Sequence, residues 1–115
     1  MVPLAFSAVL GGCSGNEARG RAIYRQACVG CHGERGDGRG AVAALQRARP
    51  RNFLTDAFRN APPGEVPSDE VLLRVVTEGM PDGVMPAFRE LSEADRRAVV
   101  SFVKAEFLAK REARR

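Results

Sequence analysis

Apolar and polar positions in this chain follow helical periods. In "SDEVLLRVVTEG", residues 68–79, Val71, Leu72, Val75 and Val76 form one apolar stripe, which predicts an amphipathic helix. Ser68 stands where a cap is needed, Asp69 and Glu70 favour the first turn, and Gly79 stops the helix. "LSEADRRAVVSFVKAEF", residues 91–107, repeats the pattern: Ser92 begins it, Asp95 follows three on, and Ala98, Val99, Phe102 and Val103 form the face to be buried. A further helix is expected over 16–27, where Ser14 and Glu17 have capping-box spacing and Gly20 and Tyr24 share a face with Ile23 beside them. A mid-helix glycine costs about 1 kcal/mol against alanine, so Gly20 predicts that another helix crosses close by. Residues 41–48, "AVAALQRA", are expected to form a short helix before Pro50 forces the chain to extend. There is no strand-like alternation, internal repeat or domain linker. The fold class is therefore all-α, with three to four helices and long loops. Loops on this scale suit a small domain only if the chain wraps a large apolar group that serves as half its core.

Composition adds one domain and an uneven charge. The chain has 115 residues and a net charge of +4. Lys104, Lys110, Arg111, Arg114 and Arg115, against Glu106 and Glu112, give residues 104–115 a net +3, leaving +1 for the rest. Nucleic-acid binding would want a basic stripe with stacking aromatics, so it is not expected. The basic tail reads as a solvated helix end, its cations well placed against the helix dipole, or as a contact for an acidic partner or lipid headgroups. At the other end, residues 1–12 carry no charge, and the apolar run Val2–Leu10 is shorter than the ~20 residues a spanning helix needs. It has the length of a signal h-region and ends in "LGGC", which resembles the bacterial lipobox. The expectation is a lipoprotein signal peptide over 1–12 and lipidation of Cys13, with a domain over 13–115. The alternative is a buried apolar arm with a free Cys13.

The candidate chemistry lies in "ACVGCHG", residues 27–33: two cysteines three apart, followed at once by the sole histidine of the chain. A thioredoxin-like redox pair expects a βαβ context, which the flanks lack. A zinc site needs four well-separated ligands; His32 abuts Cys31, and the remaining cysteine is Cys13. A structural disulfide between Cys28 and Cys31 leaves His32 unexplained. Covalent haem attachment, for which C-x-x-C-H is the signature, uses all three residues: each thiol adds to a haem vinyl group, and the imidazole falls under the iron as proximal ligand. "GERGDGRG", residues 33–40, lacks the strand before it and the Gly-Lys-Ser/Thr after it that a phosphate cradle needs. It is expected to be a flexible turn over the haem edge.

From about residue 16 to 107 the chain resembles a bacterial class I c-type cytochrome, a small monohaem electron carrier. "GRAIYRQACVGCHG" resembles the family's first helix and haem loop, "RPRNF" its proline-bearing loop, and "VTEGMPDGVMPAFRELSEADRRAVVSFVK" its distal-ligand loop and last helix. The resemblance implies a small cytochrome c fold around one covalently bound haem c. It also implies that Gly20 meets the C-terminal helix and that the carbonyl of Pro50 accepts the free N–H of the proximal histidine.

With His32 used, bis-histidine ligation is excluded, and the soft candidates for the sixth ligand are methionines. Met80 and Met85 both precede a proline. Met80 directly follows the helix-ending Gly79, whereas Met85 sits mid-loop before the stiff Pro86 and apolar Ala87–Phe88. The family pattern also puts its ligand at the M-P-x-aromatic position, Met85. Met80 is the runner-up. Arg51 and Asn52 are candidates to reach a haem propionate, with Arg47 and Arg49 as rivals. Phe53, Phe58, Val84 and Phe88 are candidates for the haem wall. The expected function is one-electron transfer between respiratory redox partners, without catalysis on a small molecule. The protein is expected on the periplasmic side of a bacterial membrane, held there through Cys13, or free in the periplasm. Two other readings remain: a haem-bearing subunit or module of a larger oxidoreductase or terminal oxidase, and a haem-based ligand sensor, which requires that Met85 does not bind.

Overall fold

A computed structural model of the chain describes residues 12–80 and 84–113, with side chains over 16–80 and 84–111. The expected signal peptide falls almost wholly outside the described residues, as do the side chain of Cys13 and Arg114 and Arg115. The order is α1 (Gly12–Ala27), α2 (Val29–His32), a 3-10 turn (Ala43–Leu45), α3 (Asp69–Glu78), α4 (Glu93–Val103), a π-helical stretch (Lys104–Leu108) and α5 (Ala109–Ala113). No strand occurs among the described residues.

α3 and α4 begin where their caps predict. Ser68 Oγ accepts from the Val71 N–H at 3.2 Å, and Ser92 Oγ from the Asp95 N–H at 3.0 Å. α1 differs from expectation. The backbone is already helical at Gly12, so Ser14 lies inside the helix and is not its cap. The 41–48 helix reduces to the single turn Ala43–Leu45. Leu45 is 81% exposed and Val42 is exposed beside it, so the segment has no buried face to sustain a longer helix.

α1 crosses α4 at Gly20, as the glycine predicted. A Cβ there would stand 2.3 Å from the Ala98 carbonyl oxygen and 2.9 Å from Phe102 Cβ. The Arg19 guanidinium grips both carboxylate oxygens of Asp95, at 2.9 and 2.7 Å, beside this crossing. Under it lies the core of Ile23, Tyr24, Val99, Phe102 and Phe107. Tyr24 packs against Phe102 and Phe107 at ring distances of 5.3 and 5.4 Å. The last helix does not simply continue to 107. The Ala109 N–H reaches back five residues to the Lys104 carbonyl, and this wider turn leaves Phe107 and Leu108 buried. α3, by contrast, has no fully buried residue despite its apolar stripe. Leu72, Val75 and Val76 border a cavity instead.

Candidate functional site

The C-x-x-C-H segment is a single helical turn continuing from α1. The Cys28 N–H bonds to the Tyr24 carbonyl and the His32 N–H to the Cys28 carbonyl, both at 2.9 Å. Cys28, Cys31 and His32 stand at i, i+3 and i+4, so they share one side of the turn, and all three border the cavity. The two thiols are not joined to each other. Among the described residues, no group of three His, Cys, Asp or Glu side chains is set to hold a metal ion. Burial, with Cys31 nearby, pushes the Cys28 thiol up to about 11. The turn is tied down from behind. The buried Tyr24 donates its hydroxyl to the Gly33 carbonyl at 2.7 Å. Gly38, Gly40 and Val42 donate backbone N–H groups to the carbonyls of His32, Cys31 and Gly30, at 2.8, 3.0 and 2.8 Å. The glycine-rich stretch is a series of turns, as expected, and its end is hydrogen-bonded onto the C-x-x-C-H turn.

On the histidine side, the His32 ring stacks on Phe53 at 4.5 Å and 14°. Its Nδ1 lies 3.3 Å from the Arg51 carbonyl oxygen. A carbonyl only accepts, so Nδ1 carries the proton and Nε2 keeps its lone pair. Burial draws the imidazole below its ordinary range, against the opposing pull of the Arg51 carbonyl. Burial outweighs that pull and leaves a neutral ring fit to ligate a metal. The acceptor corrects the expectation: it is Arg51, not Pro50, whose carbonyl instead packs over Gly38. Pro50 and Arg51 still border the cavity, as do Phe53, Phe58, Val84 and Phe88. Asn52 is not among the lining residues. Its Oδ1 accepts from the Leu54 N–H and its own N–H bonds to Asp56, so it closes a local turn. Of the rival arginines, Arg49 lines the cavity while paired with Asp56 at 3.0 Å, and Arg47 does not line it.

Across the cavity, Met80 and Met85 both reach the wall. Their loop is closed onto the end of α3: Met80 N–H bonds to the Met85 carbonyl at 3.1 Å, and Phe88 N–H to the Val76 carbonyl at 2.9 Å. Gly79 makes this closure possible. It has φ of 73°, and a Cβ there would stand 2.7 Å from the Met85 carbonyl oxygen and 2.8 Å from the Ala87 nitrogen. Arg96 secures the far end, donating Nη1 to the carbonyls of Phe88, Arg89 and Leu91, the last at 2.7 Å. Arg96 was not among the residues singled out from the sequence. Its only signal was its place four residues after the α4 cap.

Two thiols and a neutral imidazole on one turn face methionines across walls of Leu72, Val75, Val76, Val99 and Val103. That donor set and apolar lining fit a haem. Residues 15–103 match the protein family described as cytochrome c oxidase, cbb3-type, subunit III. The chain belongs to this family of c-type cytochromes. A chain of the Kuenenia stuttgartiensis reducing HAO-like protein complex is similar in structure, with a TM-score of 0.70 and 34% sequence identity over 80% of the present chain. The cytochrome spans 43% of that chain's length. No curated protein matches it significantly. The helices thus form the small cytochrome c fold that the sequence resembled. The family implies haem c as the cofactor and electron transfer as the role.

Proposed function

We propose that this cytochrome carries a single haem c, joined by thioether bonds to Cys28 and Cys31, with His32 and Met85 as its axial ligands. The observation that carries the reading is the His32–Arg51 hydrogen bond, which leaves Nε2 available on the cavity that Met85 also borders. Bound there, the haem iron takes up and returns one electron. Met85 is preferred over Met80 because it stands mid-loop before Pro86, at the M-P-x-aromatic position of the pattern the chain resembles. Arg51 lines the cavity and is the arginine assigned to a propionate, with Arg49 as its rival on the same lining; Pro50 and Phe53 add to the wall. With both axial positions taken by side chains, the chain is an electron carrier between redox proteins and turns over no small substrate itself.

The described helices include none long and apolar enough to cross a membrane. The apolar run ending in "LGGC" supports the reading that residues 1–12 are removed and that lipid on Cys13 holds the protein on the periplasmic side of a membrane. Mass spectrometry of the N-terminal peptide tests this: an unmodified Cys13 still preceded by residues 1–12 refutes it. The similarity to a longer chain from a multiprotein complex supports a second reading, that the cytochrome works as a module within a larger oxidoreductase. A stable partner retained through purification favours the module over the free carrier.

Haem-staining of a denaturing gel tests the covalent reading. The wild-type band should stain and the Cys28→Ala/Cys31→Ala double variant should not. A stained band from the double variant defeats it.

A further inference from the structure

The family match ends at residue 103, yet the chain beyond it packs against the histidine side of the site. Arg111, expected to be a solvated tail cation, donates Nη1 to the carbonyls of Phe53 and Asp56, each at 2.9 Å. Its guanidinium also lies over the Phe58 ring at 5.2 Å. Phe53, in turn, packs against two rings: His32 stacks on it at 4.5 Å, and Phe107 packs against it at 5.7 Å and 24°. The π-helical stretch makes this column possible, because it buries Phe107 while Arg111 reaches the loop one turn further on. Phe53 is anchored along its backbone as well, its N–H to the Gly36 carbonyl at 2.8 Å and its carbonyl to Arg111. Arg51, which accepts from His32, lies two residues upstream on the same segment.

We infer that Arg111 is a positioning residue for the proximal histidine: it fixes the 53–56 turn, and so holds Phe53 flat against the His32 ring. A guanidinium suits this task because its several N–H groups can serve two carbonyls of one turn at once, where an ammonium is a single compact charge. The two bonds are charge-assisted and partly buried, so their loss leaves two carbonyls without donors. The turn then gains freedom, and with it the ring plane of His32, which the Arg51 bond alone holds at one nitrogen. This inference rests on the reading of His32 as the proximal ligand.

The test uses the haem-loaded full chain and three variants: Arg111→Ala, Arg111→Lys and Lys110→Ala. Lys110 pairs with Glu106 and controls for loss of tail charge. The readouts are the paramagnetically shifted His32 ring-proton resonances of the oxidised protein and its reduction potential. Arg111→Ala should displace the ring resonances and shift the potential, and Arg111→Lys should move both in the same sense by less. Lys110→Ala should match wild type. If wild type shows no resonances of an iron-bound imidazole, the ligand reading fails and takes the inference with it. If wild type shows them and Arg111→Ala lowers only thermal stability, the inference alone is overturned. Should Arg111→Ala not accumulate, Arg111→Lys decides: displaced resonances support the inference and wild-type resonances refute it.

Discussion

Met85 and Met80 give the sharpest prediction at the scale of single residues. Both border the cavity and their backbones are hydrogen-bonded to each other. Met85→Ala should abolish the long-wavelength methionine–iron charge-transfer band of the oxidised protein and lower its reduction potential. Met80→Leu conserves volume and apolarity and should leave both nearly unchanged. The reverse result reassigns the ligand to Met80; loss only in the double variant makes the two interchangeable. Asp56 gives a prediction in pH. Burial alone would raise its carboxyl, but the Asn52 N–H and Arg49 outweigh that and hold it below its ordinary value of 3.8. A depressed carboxyl contributes stability that is present above its unfolded pKa and lost as pH falls through the folded one. Asp56→Asn should therefore flatten the loss of stability below about pH 4. A denaturation series across pH 2–6 checks this; an acid limb as steep as wild type contradicts it.

At the scale of elements, the α1–α4 crossing depends on the bare backbone of Gly20. Gly20→Ala gains about 1 kcal/mol of helix propensity. It also forces a methyl against the Ala98 carbonyl, an overpacking that typically costs about 1–3 kcal/mol. A lower midpoint in chemical denaturation is expected, and an unchanged or higher one would show that the crossing yields. At the distal loop, Arg96→Met keeps the stem of the side chain but removes the donors to Phe88, Arg89 and Leu91. Carbon monoxide should then displace the distal ligand of the reduced protein faster, with helical circular dichroism unchanged. A wild-type rate would remove Arg96 from the support of the loop. α3 and α4 were legible in the sequence because cap, stripe and stop agree locally. Likewise, that Cys28, Cys31 and His32 share one side of a turn on the cavity was legible from their spacing. What was not legible is set by distant partners. The start of α1 ignores the Ser14 signal, and the 41–48 segment finds nothing to bury against. Arg51 replaces Pro50 as the acceptor of His32. Arg111 acts on carbonyls 58 and 55 residues away. No local pattern announces such bonds.

For the whole molecule, the apolar stripe of α3 facing a cavity means that the protein alone cannot complete its core. Small chains bury a modest fraction of their surface, and this one leaves a helix face for its cofactor. The Cys28→Ala/Cys31→Ala variant, lacking covalent haem, should lose much of its helical circular dichroism at 25 °C; native-like helicity and cooperative melting would contradict that. The measurement closest to the central claim is an optical redox titration of the purified protein, followed by haem extraction into acidified organic solvent. A covalently bound haem with His32 and Met85 as ligands predicts one one-electron transition, a methionine charge-transfer band in the oxidised form, and haem that stays with the polypeptide. Haem that extracts freely, or a native reduced form that binds carbon monoxide at once, would contradict it.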